Sequence, residues 1–393
     1  MNYTKLMRTA LAASMLLGIA GCQSKKTAPS SVASVEEEEV VVTEEPVETE
    51  TAEEEIEERT APPEGTYFSE LTGEPIDEKL KDQRPLAVSV DNEILAYPHF
   101  GVATYGDIVY EMVNSQENGR ITRMMVMVKD WENIDQMGSI RSTRDTNVIL
   151  QGEWNSILCH DGSSDTAVPY FSRDYARDHF SATFSRVKNG KAWEFTEYIM
   201  PGDLDKNFEM LGCSRTYTSL KPDVDSHYNF VDYASETMTD ESLDKAVRVD
   251  LPFPHNKTYL LFNEGTQTYD YYCYGKLHQD GQNDKVLSFE NLLVLNIPMS
   301  VIDEKAHVLY DVIGEGNGYY MSRGHMIPIT WKKTSDYDIT RYYDENGDEI
   351  EMNRGKIYIG FVPSDSWDQL IINKTEETAE PEESETEESD TEN

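Results

Sequence analysis

The sequence predicts an α+β protein in which an N-terminal α/β layered domain is followed by a mostly antiparallel β domain, with disordered acidic tails at both ends. In the first half, short apolar runs typical of buried strands alternate with helical patterns. The second half is rich in Tyr, Val and Thr and contains Asn-Gly and Gly-Asn pairs typical of hairpin turns. A polar, proline-containing stretch at residues 219–226 marks the change of composition. It predicts a boundary between an α/β domain at 65–220 and a β-rich domain at 221–373.

Individual elements follow from the same patterns. Strands of the first half are predicted at residues 86–90, 107–112, 124–128 and 157–159, and its helices at 146–153, 165–173 and 204–211. Strands of the second half are predicted at residues 258–262, 269–274, 292–297, 308–313, 318–321 and 357–362. Asn346-Gly347 predicts a hairpin turn, and the glycine-rich stretch at 314–318 predicts a hairpin loop.

The first 21 residues have the features of an export signal. Lys5 and Arg8 precede a short apolar run at residues 11–20, and small residues lead to Cys22. The run is too short for a comfortable membrane span. Its small-residue box ending in cysteine resembles the lipobox of bacterial lipoproteins, which implies cleavage before Cys22 and lipid attachment to it. We therefore expect a protein on the extracytoplasmic face of the cell membrane, anchored through Cys22.

Both ends of the mature chain are acidic and of low complexity. Residues 22–64 include 13 glutamates between Glu36 and Glu58, and residues 374–393 form a second acidic tail. Such like-charge blocks bury too little apolar surface to offset chain entropy, so we expect a disordered tether and a disordered tail. Between them, residues 65–373 carry 50 acidic and 28 basic side chains, a net charge of −22. This acidity argues against nucleic acid as a partner.

An arginine cluster stands out against this acidity. Four arginines fall within 25 residues, namely Arg120, Arg123, Arg141 and Arg144. Ser142 and Asp145 form a capping-box-like pair at a predicted helix start, where backbone N–H groups beside Arg141 and Arg144 would suit a phosphate or carboxylate. The alternative is that the arginines form ion pairs with internal acids such as Asp107 and Glu111.

Further polar residues follow the predicted strands. Asp91 ends the first strand, and His160-Asp161-Gly162 ends the strand at 157–159. If these strands are parallel neighbours, Asp91, the Arg141/Arg144 turn and His160 converge on one edge of the sheet. His160 and Asp161 could act as acid and base or bind a ligand; alternatively they form a turn that satisfies backbone donors. Together with Arg123 from the arginine cluster and Asp145 from the predicted helix start, the predicted anion site comprises Asp91, Arg123, Arg141, Arg144, Asp145 and His160.

Common catalytic and cofactor motifs are absent from the sequence. There is no GxGxxG, P-loop, HExxH or GxSxG motif, and no CxxC or Cys/His spacing typical of a metal site. We therefore expect neither a cofactor nor a metal. Cys159, Cys213 and Cys273 remain beyond the lipobox, and we expect buried, unpaired thiols in preference to a Cys159–Cys213 disulfide.

Several passages resemble the YerB-like family of bacterial lipoproteins, whose two domains of unknown function occur in this order. The matching passages are RPLAVSVDN, GDIVYEM, GRITRMM, GSIRSTRDT and CHDGSS in the first half, and GYYMSRG, ITWKKTS and TRYYDENGDEIEMNRGKIYIGFVP in the second. The resemblance covers most of residues 71–365. It implies an extracytoplasmic lipoprotein and brings no established activity with it.

A fainter similarity links PLAVSVDN, MMVMV and SIRSTRDTNV to the motif order of LytR-CpsA-Psr transferases, which move polymers from polyprenyl pyrophosphate carriers onto the cell wall. It implies that Asp91, Arg144 and Asp145 handle pyrophosphate and its metal, with Arg123 and Arg141 as further phosphate partners. The sequence thus favours a non-catalytic envelope binding module for a phosphate-containing or cell-wall ligand or a protein partner. The alternative is a metal-assisted cell-wall phosphotransferase, and a purely structural role of the arginines remains a third hypothesis.

Overall fold

A computed structural model describes residues 61–117 and 119–373. The predicted signal peptide, Cys22, residues 23–60 of the tether and the acidic tail at 374–393 lie outside the described residues. None of the helices in the described ranges is long and apolar enough to cross a membrane.

The first half contains ten strands and three α-helices within the described residues. Its strands are β1 (Thr66–Phe68), β2 (Pro75–Asp77), β3 (Leu86–Asp91), β4 (Ile108–Val113), β5 (Thr122–Val128), β6 (Met137–Gly138), β7 (Ile157–His160), β8 (His179–Ser181), β9 (Ser185–Arg186) and β10 (Glu197–Ile199). Its α-helices are α1 (Val102–Tyr105), α2 (Asp145–Trp154) and α3 (Asp203–Leu211). Short 3₁₀ helices occur at Glu78–Leu80, Ile94–Ala96, Asp165–Ser172, Asp174–Ala176 and Trp193–Phe195.

The second half is made of strands and two short 3₁₀ helices, Val224–Ser226 and Ser364–Gln369, in the part that the structure describes. Its strands are β11 (Asn229–Phe230), β12 (Asp244–Lys245), β13 (Arg248–Asp250), β14 (Tyr259–Asn263), β15 (Thr268–Cys273), β16 (Lys276–Leu277), β17 (Ser288–Phe289), β18 (Asn291–Ile297), β19 (Met299–Val301), β20 (Val308–Tyr310), β21 (Gly314–Ser322), β22 (His325–Lys333), β23 (Arg341–Tyr343), β24 (Glu351–Met352), β25 (Ile357–Pro363) and β26 (Ile371–Ile372). Every predicted strand overlaps one of the strands observed.

Strands of both halves share one mixed sheet. Its order is β12-β22-β21-β18-β25-β4-β5-β3-β7-β8, with β23 added beside β22. The two halves meet where β25 pairs in parallel with β4, in a register that places Ile359 opposite Tyr110. The remaining strands form smaller, largely antiparallel sheets, of which β16-β15-β14-β13-β26 is the main one. The protein is therefore a mixed α/β structure with a large mixed sheet and accompanying antiparallel sheets, and the boundary at 220/221 stays a prediction.

The sheet carries apolar side chains on both faces at its centre. All seven residues of β5 are buried, as the apolar run at 124–128 predicts for a strand covered on both sides. Helix α2 lies in the core as well, since all ten of its residues are buried. Trp154 at its end donates from Nε1 to the hydroxyl of Tyr110 on β4, at 3.1 Å. Helix α2, which follows the segment at 139–144 directly, is therefore packed against the centre of the sheet.

The glycine-rich prediction was wrong. Residues 314–318 are not a hairpin loop; they begin β21 and pair with β22 from Lys333 to Ile329. A Cβ on Gly316 would come within 2.6 Å of Nε1 of Trp331, so the glycine lets the indole pack against the strand. The turn of this hairpin lies instead at Arg323 and Gly324, both with positive φ, as a type I′ turn requires.

Two predicted helix features also differ. Ser142 does not cap α2, because its Oγ donates to the carbonyl of Asp161 at 2.7 Å and the N-cap position is Arg144. The helix predicted at 165–173 is a 3₁₀ helix containing Pro169, whose missing N–H prevents a regular α-helical ladder.

The hairpin turn at Asn346-Gly347 is confirmed by the hydrogen bond from Gly347 N to Asp344 O, at 3.1 Å.

Candidate anion site

One edge of the sheet brings the predicted residues together. Strands β3 and β7 are parallel neighbours, so Asp91 and His160, their last residues, lie at the same edge. Strand β5 runs antiparallel to β3 and begins there, with Arg123 directly opposite Asp91. The predicted convergence on this edge is observed.

The segment at 139–144 crosses this edge and is fastened to both parallel strands. The backbone N–H of Asp91 donates to the carbonyl of Ser139 at 3.0 Å, and that of Arg141 donates to the carbonyl of Ser89 at 2.9 Å. On the other side, the N–H of Asp161 donates to the carbonyl of Arg141 at 3.1 Å. These backbone hydrogen bonds therefore place Arg141 and Arg144 at the ends of β3 and β7.

The charge of Arg141 is balanced by neighbouring carboxylates. Its Nε lies 2.6 Å from Oδ2 of Asp91, which is buried, and its Nη1 lies 3.1 Å from Oε2 of the half-exposed Glu194. The guanidinium also lies over the ring of Phe195, 5.5 Å from its centroid. Arg141 is thus held by two carboxylates and an aromatic face.

Arg123 is buried without such a partner. Its side chain is 8% exposed, and no carboxylate lies within ion-pair distance of it among the described residues. One nitrogen, Nη1, donates to the carbonyl of Ser142 at 2.6 Å, whereas Nε is buried and makes no hydrogen bond in the described part of the chain. Burial and then the charge of Arg144 lower the pKa of Arg123 below its ordinary value. A charged guanidinium in this position lacks a counter-ion.

Arg144 repeats the pattern. Its Nη1 donates to the carbonyl of Thr143 at 2.9 Å, its Nε is buried without a hydrogen-bond partner, and the described residues offer it no ion pair. Burial and the charge of Arg141 lower the pKa of Arg144, while the charges of Asp303, Asp145 and Asp91 oppose this. The hydroxyl of Thr143 is buried and unpartnered as well.

The electrostatic consequence is a local excess of positive charge in an acidic protein. Burial disfavours the charged forms of both Arg123 and Arg144, and so does a neighbouring arginine in each case: Arg144 acts on Arg123, and Arg141 acts on Arg144. Two unpaired guanidinium groups of this kind are stabilised by an anion that accepts from their planar N–H donors, as phosphate and carboxylate do. The arrangement therefore supplies unpaired N–H donors of the kind that phosphate and carboxylate groups accept from; it contains no nucleophile–base pair among the residues described above.

Asp145 belongs to the wall of the site. Its Oδ2 accepts hydrogen bonds from the hydroxyls of Ser164 and Thr166, both at 2.9 Å. As an acid in the first turn of α2, it also complements the positive end of the helix dipole. Asp145 therefore occupies the helix start itself, and the positive groups open to an anion are the arginine side chains.

His160 lies at the edge and is engaged in structural contacts. Its Nδ1 is 2.7 Å from the carbonyl of Gly162, so Nδ1 carries the proton, and Nε2 accepts from Nδ1 of His179 at 2.9 Å. The ring also stacks on Phe171, with centroids 5.3 Å apart. Burial lowers the pKa of His160 to about 4, so it carries no positive charge for an anion at neutral pH.

The internal acids suggested as alternative partners are occupied elsewhere. Asp107 accepts from the backbone N–H of Lys129 at 2.7 Å. Glu111 is fully buried and accepts from five side chains: Asn92, Thr122, Thr258, Tyr271 and Tyr358. Arg120, by contrast, pairs with Asp365 on the protein surface. The ion-pair hypothesis thus holds for Arg120 and Arg141, with partners other than those named.

Sequence reasoning missed the loop that covers the site from one side. Glu194 and Phe195 contact Arg141, and Trp193 beside them is 72% exposed. Arg186 and Asp161, 2.7 Å apart, attach this loop to the end of β7. A Trp-Glu-Phe triplet is the only local signal, because its role depends on contacts with residues distant in the chain.

The cysteines do not contribute to the site. Cys159, Cys213 and Cys273 are free thiols, of which Cys213 is only half-buried. Burial raises the pKa of the Cys159 thiol well above its ordinary value, which makes it a poor nucleophile.

Comparisons with known proteins place the chain in a family. Residues 71–214 match the description "Protein of unknown function (DUF3048) N-terminal domain", and residues 249–359 match the corresponding C-terminal domain. The chain is 23% identical over 314 residues to the "Putative lipoprotein YerB" of Bacillus subtilis, covering 77% of this chain and 85% of that protein. The crystal structure of YerB from Bacillus subtilis superimposes with a TM-score of 0.66 at 22% identity, over 78% of this chain and all of that one, which shows a shared fold. The chain therefore belongs to the family defined by the N- and C-terminal DUF3048 domains and is a distant homologue of YerB.

Proposed function

We propose that this protein is a lipid-anchored, extracytoplasmic binding module of the cell envelope. Its ligand is an anion, either a phosphate-containing molecule or a cell-wall component, held by Arg123, Arg141 and Arg144. The observation that carries the proposal is the pair Arg123, which is buried, and Arg144, which is half-buried: both lie beside a third arginine, and neither has a carboxylate partner among the described residues. Burying uncompensated charge is costly, and a bound anion removes that cost.

The membrane anchor is supported from a different part of the chain. The sequence before Cys22 has the form of a lipobox, and the similar protein of Bacillus subtilis carries the name of a lipoprotein. An envelope protein with an acidic surface segment is the alternative partner at the same arginines.

A metal-assisted cell-wall phosphotransferase is the second candidate. What favours it is the position of Asp91, Arg144 and Asp145 at one sheet edge. The carboxylate of Asp91 contacts Arg141, and that of Asp145 accepts two hydroxyl groups, so metal binding would have to replace those contacts. Release of phosphate from a polyprenyl pyrophosphate analogue, lost in Arg144→Met, would establish this candidate over simple binding.

A melting-temperature screen tests the binding proposal. Phosphate, pyrophosphate, uronic acids and soluble wall fragments are each added to the full-length chain and to Arg144→Met. A ligand present at one hundred times its dissociation constant adds about 2.7 kcal/mol to the stability of the folded state. We expect stabilisation by at least one anion in the wild type and none in the variant. Arg120→Met is the matched control, since Arg120 already has Asp365 as its partner; an equal loss of ligand response in that control would refute a specific site.

A further inference from the structure

We propose that the anion bound at this site is a phosphate ester that carries a ring, and that Trp193 forms the platform on which the ring stacks. This inference rests on the proposed anion site and names its ligand class. It starts from the loop at 186–197, in which an exposed indole is fixed beside the arginine cluster.

The indole of Trp193 is held in place although it faces solvent. It is 72% exposed, and the guanidinium of Arg186 lies over its ring, 4.4 Å from the centroid. Nη1 of Arg186 donates to the carbonyl of Trp193 at 2.9 Å, and Nη2 is bound by Asp161 at 2.7 Å and Glu197 at 2.6 Å. A surface tryptophan would ordinarily lose rotamer freedom on binding, whereas here the Arg186 contacts have already restricted it.

The same loop is joined to the arginine site by the residues that follow Trp193. The carboxylate of Glu194 contacts Nη1 of Arg141 at 3.1 Å, and the ring of Phe195 lies under the same guanidinium. Before Trp193, Nζ of Lys191 donates to the carbonyl of Tyr97 at 2.8 Å, which ties the loop to the segment after β3. Trp193 therefore directly precedes Glu194, whose carboxylate contacts Arg141.

One face of the indole is covered by Arg186, so its exposed area lies on the opposite face and the edges. An aromatic face of this kind stacks against the flat face of a sugar or a nucleobase and gains affinity without selecting a hydrogen-bond pattern. The cation behind the ring polarises it further, since guanidinium groups and indoles attract each other.

A charged lipid surface fits less well. Ile94 and Leu95 are also exposed on the neighbouring segment, but residues 65–373 carry a net charge of −22, which repels anionic membranes at low salt. A small ester satisfies both features at once, because its phosphate group accepts from Arg123 and Arg144 while its ring lies on Trp193.

Affinities of matched phosphate esters for the full-length chain provide the test. Glycerol 3-phosphate has the phosphate without a ring, glucose 1-phosphate adds a sugar ring and uridine 5′-monophosphate adds a sugar and a base. We expect at least one ring-bearing ester to bind about 10-fold more tightly than glycerol 3-phosphate, which corresponds to about 1.4 kcal/mol. Whether glucose 1-phosphate or the nucleotide shows the gain distinguishes a sugar from a base as the stacking group.

Trp193→Ala should abolish that gain and leave the affinity for glycerol 3-phosphate unchanged. Tyr337→Ala, which removes another strongly exposed aromatic ring, is the control and should behave as the wild type. Equal affinity for all three esters, or a gain that persists in Trp193→Ala, would overturn the stacking inference while leaving the anion site intact. Binding to anionic vesicles without preference among the esters would also overturn it, and no binding of any phosphate ester would overturn the proposed phosphate ligand itself.

Discussion

Asp91 lies directly opposite Arg123 across β3 and β5, yet its carboxylate contacts Arg141, with Oδ2 2.6 Å from Nε. The buried carboxylate of Asp91 therefore neutralises Arg141, which lies on the segment at 139–144 that crosses this edge. Arg123, its neighbour in the sheet, is left with a single carbonyl acceptor, that of Ser142. Arg141 thus has a carboxylate partner and Arg123 has none. Substitutions of the arginines should therefore differ in their effect on stability as well as on ligand binding.

Arg141→Met and Arg144→Met should therefore change stability in different ways. Loss of Arg141 leaves Asp91 buried without its counter-ion, which we expect to cost about 2 kcal/mol of unfolding free energy. Loss of Arg144 removes no ion pair among the described residues and should leave stability nearly unchanged, since the repulsion by Arg141 is opposed by the charges of Asp303, Asp145 and Asp91. Urea denaturation of both variants without ligand checks this. Equal destabilisation of the two would mean that Arg144 has a structural partner.

Acidification should destabilise the protein through its buried histidines. Burial lowers the pKa of His160 and of His278 to about 4, below the value of about 6.5 in an unfolded chain. Stability from these groups is complete above about pH 6.5 and is lost as the pH falls towards 4, by about 2 kcal/mol for each histidine at pH 5. Asp107 opposes the trend, because burial raises its pKa to about 6 and its protonation then favours the folded state.

Urea midpoints at pH 7 and pH 5 measure this loss. His160→Gln should lose less stability between the two pH values than the wild type, since the substituted side chain does not titrate. A difference between the two midpoints that is the same in the variant and the wild type would show that the pKa of His160 is the same in the folded and unfolded states.

Glu111 should be essential to the connection between the two halves. Its carboxylate on β4 accepts from Tyr358 on β25 at 2.8 Å and from Tyr271 on β15 at 2.9 Å. Glu111→Gln introduces an amide that cannot accept from all five donors, which we expect to cost about 2 kcal/mol. The change should lower the midpoint of a single cooperative unfolding transition. Separate transitions for residues 65–220 and 221–373 would instead indicate that the halves fold independently.

Cys22→Ser should release the protein from the membrane. The thiol is the attachment point for lipid in a lipobox. Fractionation of cells that express the wild type or the variant, with a labelled fatty acid, measures the effect. A variant that stays in the membrane fraction would argue for an uncleaved anchor.

Local patterns were sufficient to locate β3 and β7, whose ends carry Asp91 and His160, and to predict that these ends lie at one edge. The apolar run before Asp91 and the run at 157–159 identify buried strands, and parallel pairing then places their ends together. The position of Arg123 at this edge depends on the antiparallel pairing of β5 with β3, which the sequence did not predict. These predictions depend on residues close together in the sequence, where hydrophobic periodicity carries the signal.

Contacts between distant residues were not predictable in this way. Whether Arg141 or Arg123 receives the carboxylate of Asp91 depends on side-chain geometry after the crossing segment is fastened to β3 and β7. Ser142 looked like a helix cap but bonds to the carbonyl of Asp161, because backbone pairing with the loop after β7 leaves it facing that carbonyl. The Glu194 contact has no counterpart in any local pattern.

The most direct measurement is a calorimetric titration of the full-length chain with inorganic pyrophosphate at constant ionic strength, repeated for Arg123→Met, Arg144→Met and Arg120→Met. The account predicts saturable binding by the wild type and Arg120→Met. For the other two variants it predicts a dissociation constant at least 10-fold larger, because each loses a charge-assisted hydrogen bond worth about 1.5–3 kcal/mol. Absence of binding by the wild type, or equal affinity in all four proteins, would contradict a pyrophosphate-binding role for Arg123 and Arg144.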